Sequence, residues 1–347
     1  MPDGLRVLVT GISGVLAARL ARRLAEHDGV DLVVGVDARL PVHDLGRTRI
    51  VRAELTSPMV GAVLDRDRID TLVHLGISST PIEPGTRGRA RMKEHNVIGT
   101  MQLLAAAQRA PHLRSVILKS TTAVYGSEPG SRALFGEDVA TEARAGYAKD
   151  VIEIEGYARA FARRRDGVVL TVLRFANLLG SDIDSAFARY LALPVIPTVL
   201  GYDPRIQLCH TEDAVEVLRQ ACLDTRPGIY NVAGPGVLYL SQAARIAGRP
   251  TVPVPLPLVE GLADVLRRVR HMDVPADQLQ YLSYGRVADI SRLRERFGYE
   301  PQHSTRDTLR AFLDERGVRP LVDEAGWRRL EKRALDLTRT LTGGDER

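Results

Sequence analysis

The sequence predicts an α/β fold: a doubly wound, mainly parallel sheet with helices on both faces, followed by a smaller C-terminal lobe. Three observations carry this expectation. Short apolar runs alternate with segments of helical period through the first half of the chain, a glycine-rich turn joins the first run to the first helix, and the alternation stops near Leu178, beyond which prolines become frequent. Residues 1–177 are expected to form the first unit and 178–320 most of the lobe, with some segments crossing between them; 321–347 is expected to be a polar helix and tail.

Leu5–Thr10 (LRVLVT) is a nearly unbroken apolar run ending at a glycine, as expected of a strand covered on both faces. Val15–His27 repeats apolar residues at helical spacing, and Asp31–Val36 is a second apolar strand ending at Asp37. Ile50–Ala53 and Thr71–Leu75 read as further strands, with a helix near Met59–Asp65 between them. Asn96–Arg109 reads as an amphipathic helix, Ser115–Ser120 as a strand, Tyr147–Arg165 as a long helix and Val168–Arg174 as another strand. Beyond Leu178, short strands at Ile206–Cys209 and Gly228–Val232 mix with helices, and Asp323–Arg347 reads as a polar helix with a Gly-Gly tail.

The 347 residues, 44% of them hydrophobic and 26% charged, suffice for a large core without staples. Two cysteines, Cys209 and Cys222, give no disulfide framework and no metal-ligand cluster, so no metal is expected. No signal peptide is apparent, and the apolar stretch Leu191–Leu200 is too short to span a bilayer, so the expected location is cytoplasmic, without membrane association. The net charge is +5, nearly all of it from arginine, with lysine only at positions 93, 119, 149 and 332. The arginines are scattered among acidic residues rather than gathered in a tract. That argues against nucleic acid and fits a small anionic ligand such as a nucleotide.

Thr10-Gly11-Ile12-Ser13-Gly14-Val15-Leu16-Ala17 lies between the first strand and the first helix. Gly11 lets phosphates approach the backbone, Gly14 opens a helix whose N-terminal amides attract a pyrophosphate, and Ala17 lets that helix lie close to the sheet. Asp37, at the end of the second strand, suits the two hydroxyls of an adenosine ribose and repels a 2′-phosphate. The pattern predicts a Rossmann-type dinucleotide site with NAD favoured over NADP, although Arg39 lies close enough to soften the discrimination.

Further motifs follow in order: HLG at 74–76, NVIGT at 96–100, STTAVYG at 120–126, RFANLLG at 174–180, HTEDA at 210–214 and YNVAG at 230–234. Over residues 5–310 the chain resembles an extended short-chain dehydrogenase/reductase of the NAD-dependent epimerase/dehydratase group, which includes UDP-glucose 4-epimerase. The resemblance implies NAD contacts from Gly11, Ile12, Ser13, Gly14, Val15, Leu16, Asp37 and Ala38. It places Glu54 and Leu55 beside the adenine, Leu75 and Gly76 along the cofactor, and Asn96 in a supporting position equally open to a purely structural reading. It also implies a homodimer built from the helices that begin at Asn96 and Tyr147, and a nucleotide sugar or related small molecule as substrate.

The same resemblance implies Thr121 as the catalytic group positioning substrate and Tyr147 as the acid–base, the latter also at the cofactor. Four residues after the tyrosine, where the family carries a lysine, stands Val151. A free tyrosine titrates near 10, so without a nearby cation phenolate is scarce at neutral pH. Lys149, at i+2, points away from Tyr147. Lys119 shares a strand face with Thr121 and is the candidate replacement, catalytic and cofactor-binding, or else a lysine whose stem simply packs in the sheet. On the substrate side the resemblance assigns Asn177 and Arg205, the latter one position earlier than the pattern, with Ile206 in its place. His210 and Asp213 read as helix-capping residues. Two readings follow: an epimerase/dehydratase-type oxidoreductase slowed by the lost lysine, or a non-catalytic NAD-binding sensor or scaffold derived from such enzymes.

Overall fold

The computed structural model describes residues 4–322, apart from 82, 84, 144–145 and 259–275, together with residue 326. The C-terminal helix read at 323–347 thus lies outside the described residues, Gly326 excepted. Seven parallel strands form one sheet in the order β11-β6-β5-β4-β1-β2-β3. In chain order they are β1 (Leu5–Thr10), β2 (Val30–Asp37), β3 (Arg49–Arg52), β4 (Thr71–His74), β5 (Ser115–Thr121), β6 (Val169–Phe175) and, after four short strands elsewhere, β11 (Gly228–Val232). The connecting helices are α1 (Val15–Ala25), α2 (Pro58–Arg66), α3 (Gly85–Lys93), α4 (Gly99–Ala107) and α5 (Gly146–Arg164).

The apolar runs are unbroken because both faces of the sheet are covered. Val7 and Val9 face a core shared with α1, whereas Leu8 faces the core of α2, α4 and α5. In β5 the alternation continues: Val116 and Leu118 lie on the α5 side and Ile117 on the α1 side. Lys119 and Thr121 therefore leave the sheet on the α1 side, and Ser120 on the α5 side.

The helix read from Asn96 begins earlier. α3 precedes it, and a wide π-helical turn, Glu94–Ile98, joins α3 to α4. The charged sequence of α3 gives little periodic signal. An ion pair, Arg89 to the buried Asp150 of α5 at 2.6 Å, ties it down instead.

After β6 the chain builds the lobe from β7 (Asn177–Leu179), α6 (Ala186–Leu191), β8 (Ile196–Val199), β9 (Arg205–Ile206) and β10 (Leu208–His210). Then α7 (Thr211–Leu223) returns to pack on α1, and β11 completes the large sheet. The strand expected at 206–209 is two strands in two different small sheets. Gln207 lies between them, its side-chain amide bonded to the backbone of Ala288: Oε1 accepts from the Ala288 amide at 2.9 Å, while Nε2 donates to the Ala288 carbonyl at 3.2 Å. A third apolar core, including Phe187, Ile206, Leu240 and Phe312, closes the lobe.

Candidate dinucleotide and catalytic site

Gly11 has φ +73°, and a Cβ on it would stand 2.6 Å from the Cα of Gly76. Glycine is thus required twice over: by the left-handed backbone and by the crossing of two loops. Gly14 is exposed and opens α1 with no side chain capping the helix, which leaves its first-turn amides for an anion. Ile12 is fully buried over Gly35 of β2, whose Cβ would meet its side chain at 2.4 Å, and Leu16 is buried one turn into α1. Val15 between them is half-buried.

Asp37 joins the loop to the second strand. Its Oδ2 accepts from the Ser13 hydroxyl at 2.7 Å and the Ser13 amide at 3.1 Å, and its Oδ1 accepts from the Arg39 amide at 3.0 Å. Ala38 follows, half-buried, with its carbonyl accepting from Arg52 at 3.1 Å. Glu54 is exposed beside the buried Leu55, which packs under Gly99 of α4. The residue set fits a dinucleotide: an uncapped helix start for phosphates, a carboxylate at the end of β2, and a backbone cradle that a Cβ would fill.

A chain of hydrogen bonds stiffens the β4 end. The Gly76 amide donates to the Thr10 hydroxyl at 3.2 Å, Thr10 meets His74 Nδ1 at 2.7 Å, His74 Nε2 meets Thr100 at 2.8 Å, and the Thr100 hydroxyl donates to the Asn96 carbonyl at 2.5 Å. Thr100 has given its only hydrogen to Asn96, so it accepts from His74 Nε2–H and Nδ1 accepts from Thr10. The ring is neutral: burial, reinforced by His95 and Lys119, lowers its pKa to about 3. The residues after His74 are clasped as well. His95 reaches the Gly76 carbonyl at 3.1 Å, Lys119 Nζ donates to the Ile77 carbonyl at 3.3 Å, and Asn96 holds both the amide and the carbonyl of Ser78. Leu75 is buried between these anchors.

Thr121 ends β5, and its Oγ1 accepts from the Ala123 amide at 3.1 Å, capping a short 3-10 turn over Thr122–Tyr125. Tyr147 stands in the first turn of α5, 8% exposed. Val151, one turn on, is fully buried in the same apolar cluster, while Lys149 faces solvent. Tyr125 is fixed differently: its hydroxyl donates to Asn231 at 2.7 Å and accepts from Arg174 at 2.9 Å. Arg174 also grips the fully buried Glu155 of α5 with two hydrogen bonds, and Ser120 donates to that carboxylate. This network joins α5, β5 and β6 beneath the site and holds the Glu155 carboxyl below the usual range, its hydrogen bonds overcoming the effect of burial.

On the lobe side, Asn177 is half-buried in β7, beside β10. Ile206 is buried in the lobe core and Arg205 half-buried, as alternation in β9 dictates. Arg286, which sequence reasoning missed, sits nearby: its backbone amide donates to the Arg205 carbonyl at 3.1 Å, and its guanidinium donates to the Gly126 carbonyl and the Ser127 hydroxyl. The only sequence signal was a basic residue following Gly285 in YGRVADI. His210 caps α7 through Nδ1, whereas Asp213 caps nothing and instead anchors residues 299–303 through Tyr299, Gln302 and His303.

A family model described as the NAD dependent epimerase/dehydratase family matches residues 7–233. The chain belongs to that family. It is 42% identical over 338 residues to an uncharacterized protein of Mycobacterium tuberculosis, covering 95% of this chain and 89% of that one. A UDP-glucuronic acid decarboxylase of Arabidopsis thaliana is 23% identical over 88% of this chain and 87% of its own. Among solved structures, the UDP-glucose 4-epimerase of Thermotoga maritima, with UDP-glucose, superposes with a TM-score of 0.69 at 21% identity, over 90% of this chain and 98% of that one. A Bacillus cereus UDP-glucuronic acid 4-epimerase, with UDP-glucuronic acid and NAD, gives 0.70 at 20% identity, over 90% of this chain and 99% of its own. At such identities the likeness establishes the fold.

Proposed function

We propose that this family member binds NAD and acts on a nucleotide sugar as an epimerase- or dehydratase-type oxidoreductase. The observation that carries the reading is the shared edge: the Gly11–Gly76 crossing and Asp37 open along the carboxyl ends of the strands, and Thr121 ends β5, two strands from β1. Two strand spacings are roughly 10 Å, within the span of one bound dinucleotide and its substrate. Bound NAD would supply the hydride acceptor. Tyr147 would take the proton of the sugar hydroxyl, Thr121 would orient that oxygen, and Asn177 with Arg205 would hold the nucleotide diphosphate. The named ligands of the neighbours, UDP-glucose and UDP-glucuronic acid, support the substrate class.

Val151 is the one observation favouring a non-catalytic NAD-binding protein, because its buried side chain fills the position where a cation would stand. A single experiment separates the readings: the protein with NAD and a panel of UDP- and TDP-sugars, following NADH absorbance and product by NMR. Turnover lost in Tyr147→Phe establishes the enzyme. NAD binding without turnover, together with activity appearing in Val151→Lys, establishes the other reading. The exposed Ile98 and Met101 before and on α4 and Tyr157 on α5 suit a homodimer through these helices, testable by light scattering. The two buried free thiols suit a reducing cytoplasm, and no helix among the described residues is long and apolar enough to cross a membrane.

A further inference from the structure

Lys119 is an oddity that the hydrogen-bond networks do not absorb. It is half-buried near the carboxyl end of β5, and the contact its amine makes is with the Ile77 carbonyl at 3.3 Å. Among the described residues no carboxylate pairs with it, whereas the neighbouring buried charges Glu155, Arg174 and Asp150 are all paired. An amine withdrawn from water without an anion costs stability unless a ligand completes its coordination. Burial accordingly pulls its pKa down to about 8.

Its direction identifies the ligand. Lys119 leaves the sheet on the α1 side, the side where α1 begins beside the glycine loop, and opposite to α5. Along the edge of the sheet the order runs β2 with Asp37, β1 with Gly11, β4 with Gly76, then β5 with Lys119 and Thr121. A dinucleotide whose adenosine ribose meets Asp37 and whose phosphates meet Gly11–Gly14 must lay its second nucleoside over β4 and β5. The group that Lys119 meets there is the Ile77 carbonyl, with His95 of the π-helical turn holding the neighbouring Gly76. The neutral His74 leaves β4 on the other face, toward Thr100 of α4, and Lys119 acts on it only through its charge. On β6 the residue paired with it is the apolar Leu173.

We propose that Lys119 is a cofactor-binding cation, donating from β5 to the hydroxyls of the nicotinamide-side ribose. The proposal deepens the dinucleotide reading above and rests on it. It keeps Lys119 as the replacement for the cation missing at Val151, reaching the cofactor from β5 rather than from α5.

The scarcity of lysine makes a direct test available. Protein labelled with 13C at the lysine ε carbon gives four side-chain signals, from positions 93, 119, 149 and 332, with Lys119 assigned by Lys119→Arg. The Lys119 signal is expected to shift with NAD and with ADP-ribose, which carries the second ribose, and to stay put with ADP, which lacks it. Calorimetry is expected to show NAD affinity falling about 10- to 100-fold in Lys119→Met, the range of a lost charge-assisted hydrogen bond, and largely restored in Lys119→Arg. A response to ADP equal to that with NAD places the amine at the diphosphate and overturns the assignment. So does NAD binding that requires Asp37 while leaving the Lys119 signal unmoved, an outcome that leaves the dinucleotide reading standing. Absence of any NAD binding overturns both.

Discussion

The two ends of the dinucleotide groove are held by different means. At the Asp37 end everything comes from one strand–helix–strand unit: Gly11 and Gly14 shape the backbone, Ser13 clasps Asp37, and Ile12 is seated on Gly35. At the other end the contributors come from β4, the π-helical turn, α4 and β5, and side chains do the fixing: Thr100 holds His74, while His95, Asn96 and Lys119 hold the backbone of residues 76–78. A local end, contiguous in sequence, tolerates few substitutions and holds its one charge, Asp37, by short-range bonds to Ser13 and Arg39. An end assembled from distant side chains can exchange one cation for another, and that is where Val151 departs from the family pattern.

The largest expected effect tests the backbone-built end. Gly11→Val introduces a Cβ 2.6 Å from Gly76 at a φ that β-branched residues avoid. We expect at least about 3 kcal/mol of lost stability in urea unfolding, with NAD binding abolished. A near-neutral Gly11→Val would mean the loop crossing is soft and the contrast between the two ends wrong. Next in size, Asp37→Ala should weaken NAD about 10- to 100-fold, as the carboxylate's hydrogen bonds to the ribose are lost. Unchanged affinity would show that Asp37 serves only to hold Ser13 and Arg39.

The same contrast explains what could be read from sequence. β1, α1 and β2 were legible because glycine spacing, apolar run and terminal acid are contiguous, and β1 falls at Leu5–Thr10 as expected. The π-helical turn was not, because its function is a contact between Asn96 and Ser78, distant in sequence and carried by no periodic pattern. α3 was missed because an ion pair to Asp150 secures it rather than an apolar stripe. Thr121, Tyr147 and the gap at Val151 could be placed by motif. The face on which Lys119 emerges could be tied to the groove only once Ile117 and Leu118 were assigned to their respective cores. Arg286 had no signal beyond its charge, since its place is set by the packing of Gly285 on the Arg205 backbone.

A smaller effect tests the side-chain-built end without any ligand. Lys119 has a folded pKa of about 8 against its ordinary 10.5, so the unfolded chain holds its proton more tightly. The resulting penalty on folding is fully present below about pH 8 and vanishes as pH rises through 10.5. Lys119→Met should therefore raise the stability of the NAD-free protein at pH 7 by on the order of 1–2 kcal/mol, discounted because the side chain is only half-buried, and the gain should shrink in alkali. Urea midpoints at pH 7 and pH 10 check this. A loss of stability in Lys119→Met at pH 7 would make the lysine a packing element.

The smallest effect concerns His74, and its sign is opposite in pH. Its folded pKa is lowered to about 3 from an ordinary 6.5 by burial, reinforced by the charges of His95 and Lys119. Above pH 6.5 neither state binds the proton and the full stability is present; as pH falls below 6.5 the unfolded state takes it up and the folded state does not. One such group costs about 1.4 kcal/mol by pH 5.5, from the usual value per pKa unit. Carboxylates titrating in the same range contribute equally to wild type and to His74→Asn, so the difference between their pH 7.5 and pH 5.5 urea midpoints isolates the ring. If both proteins lose stability in parallel, His74 is charged when folded, and the Thr10–His74–Thr100 chain does not set the geometry of Gly76 in the way its hydrogen bonds require.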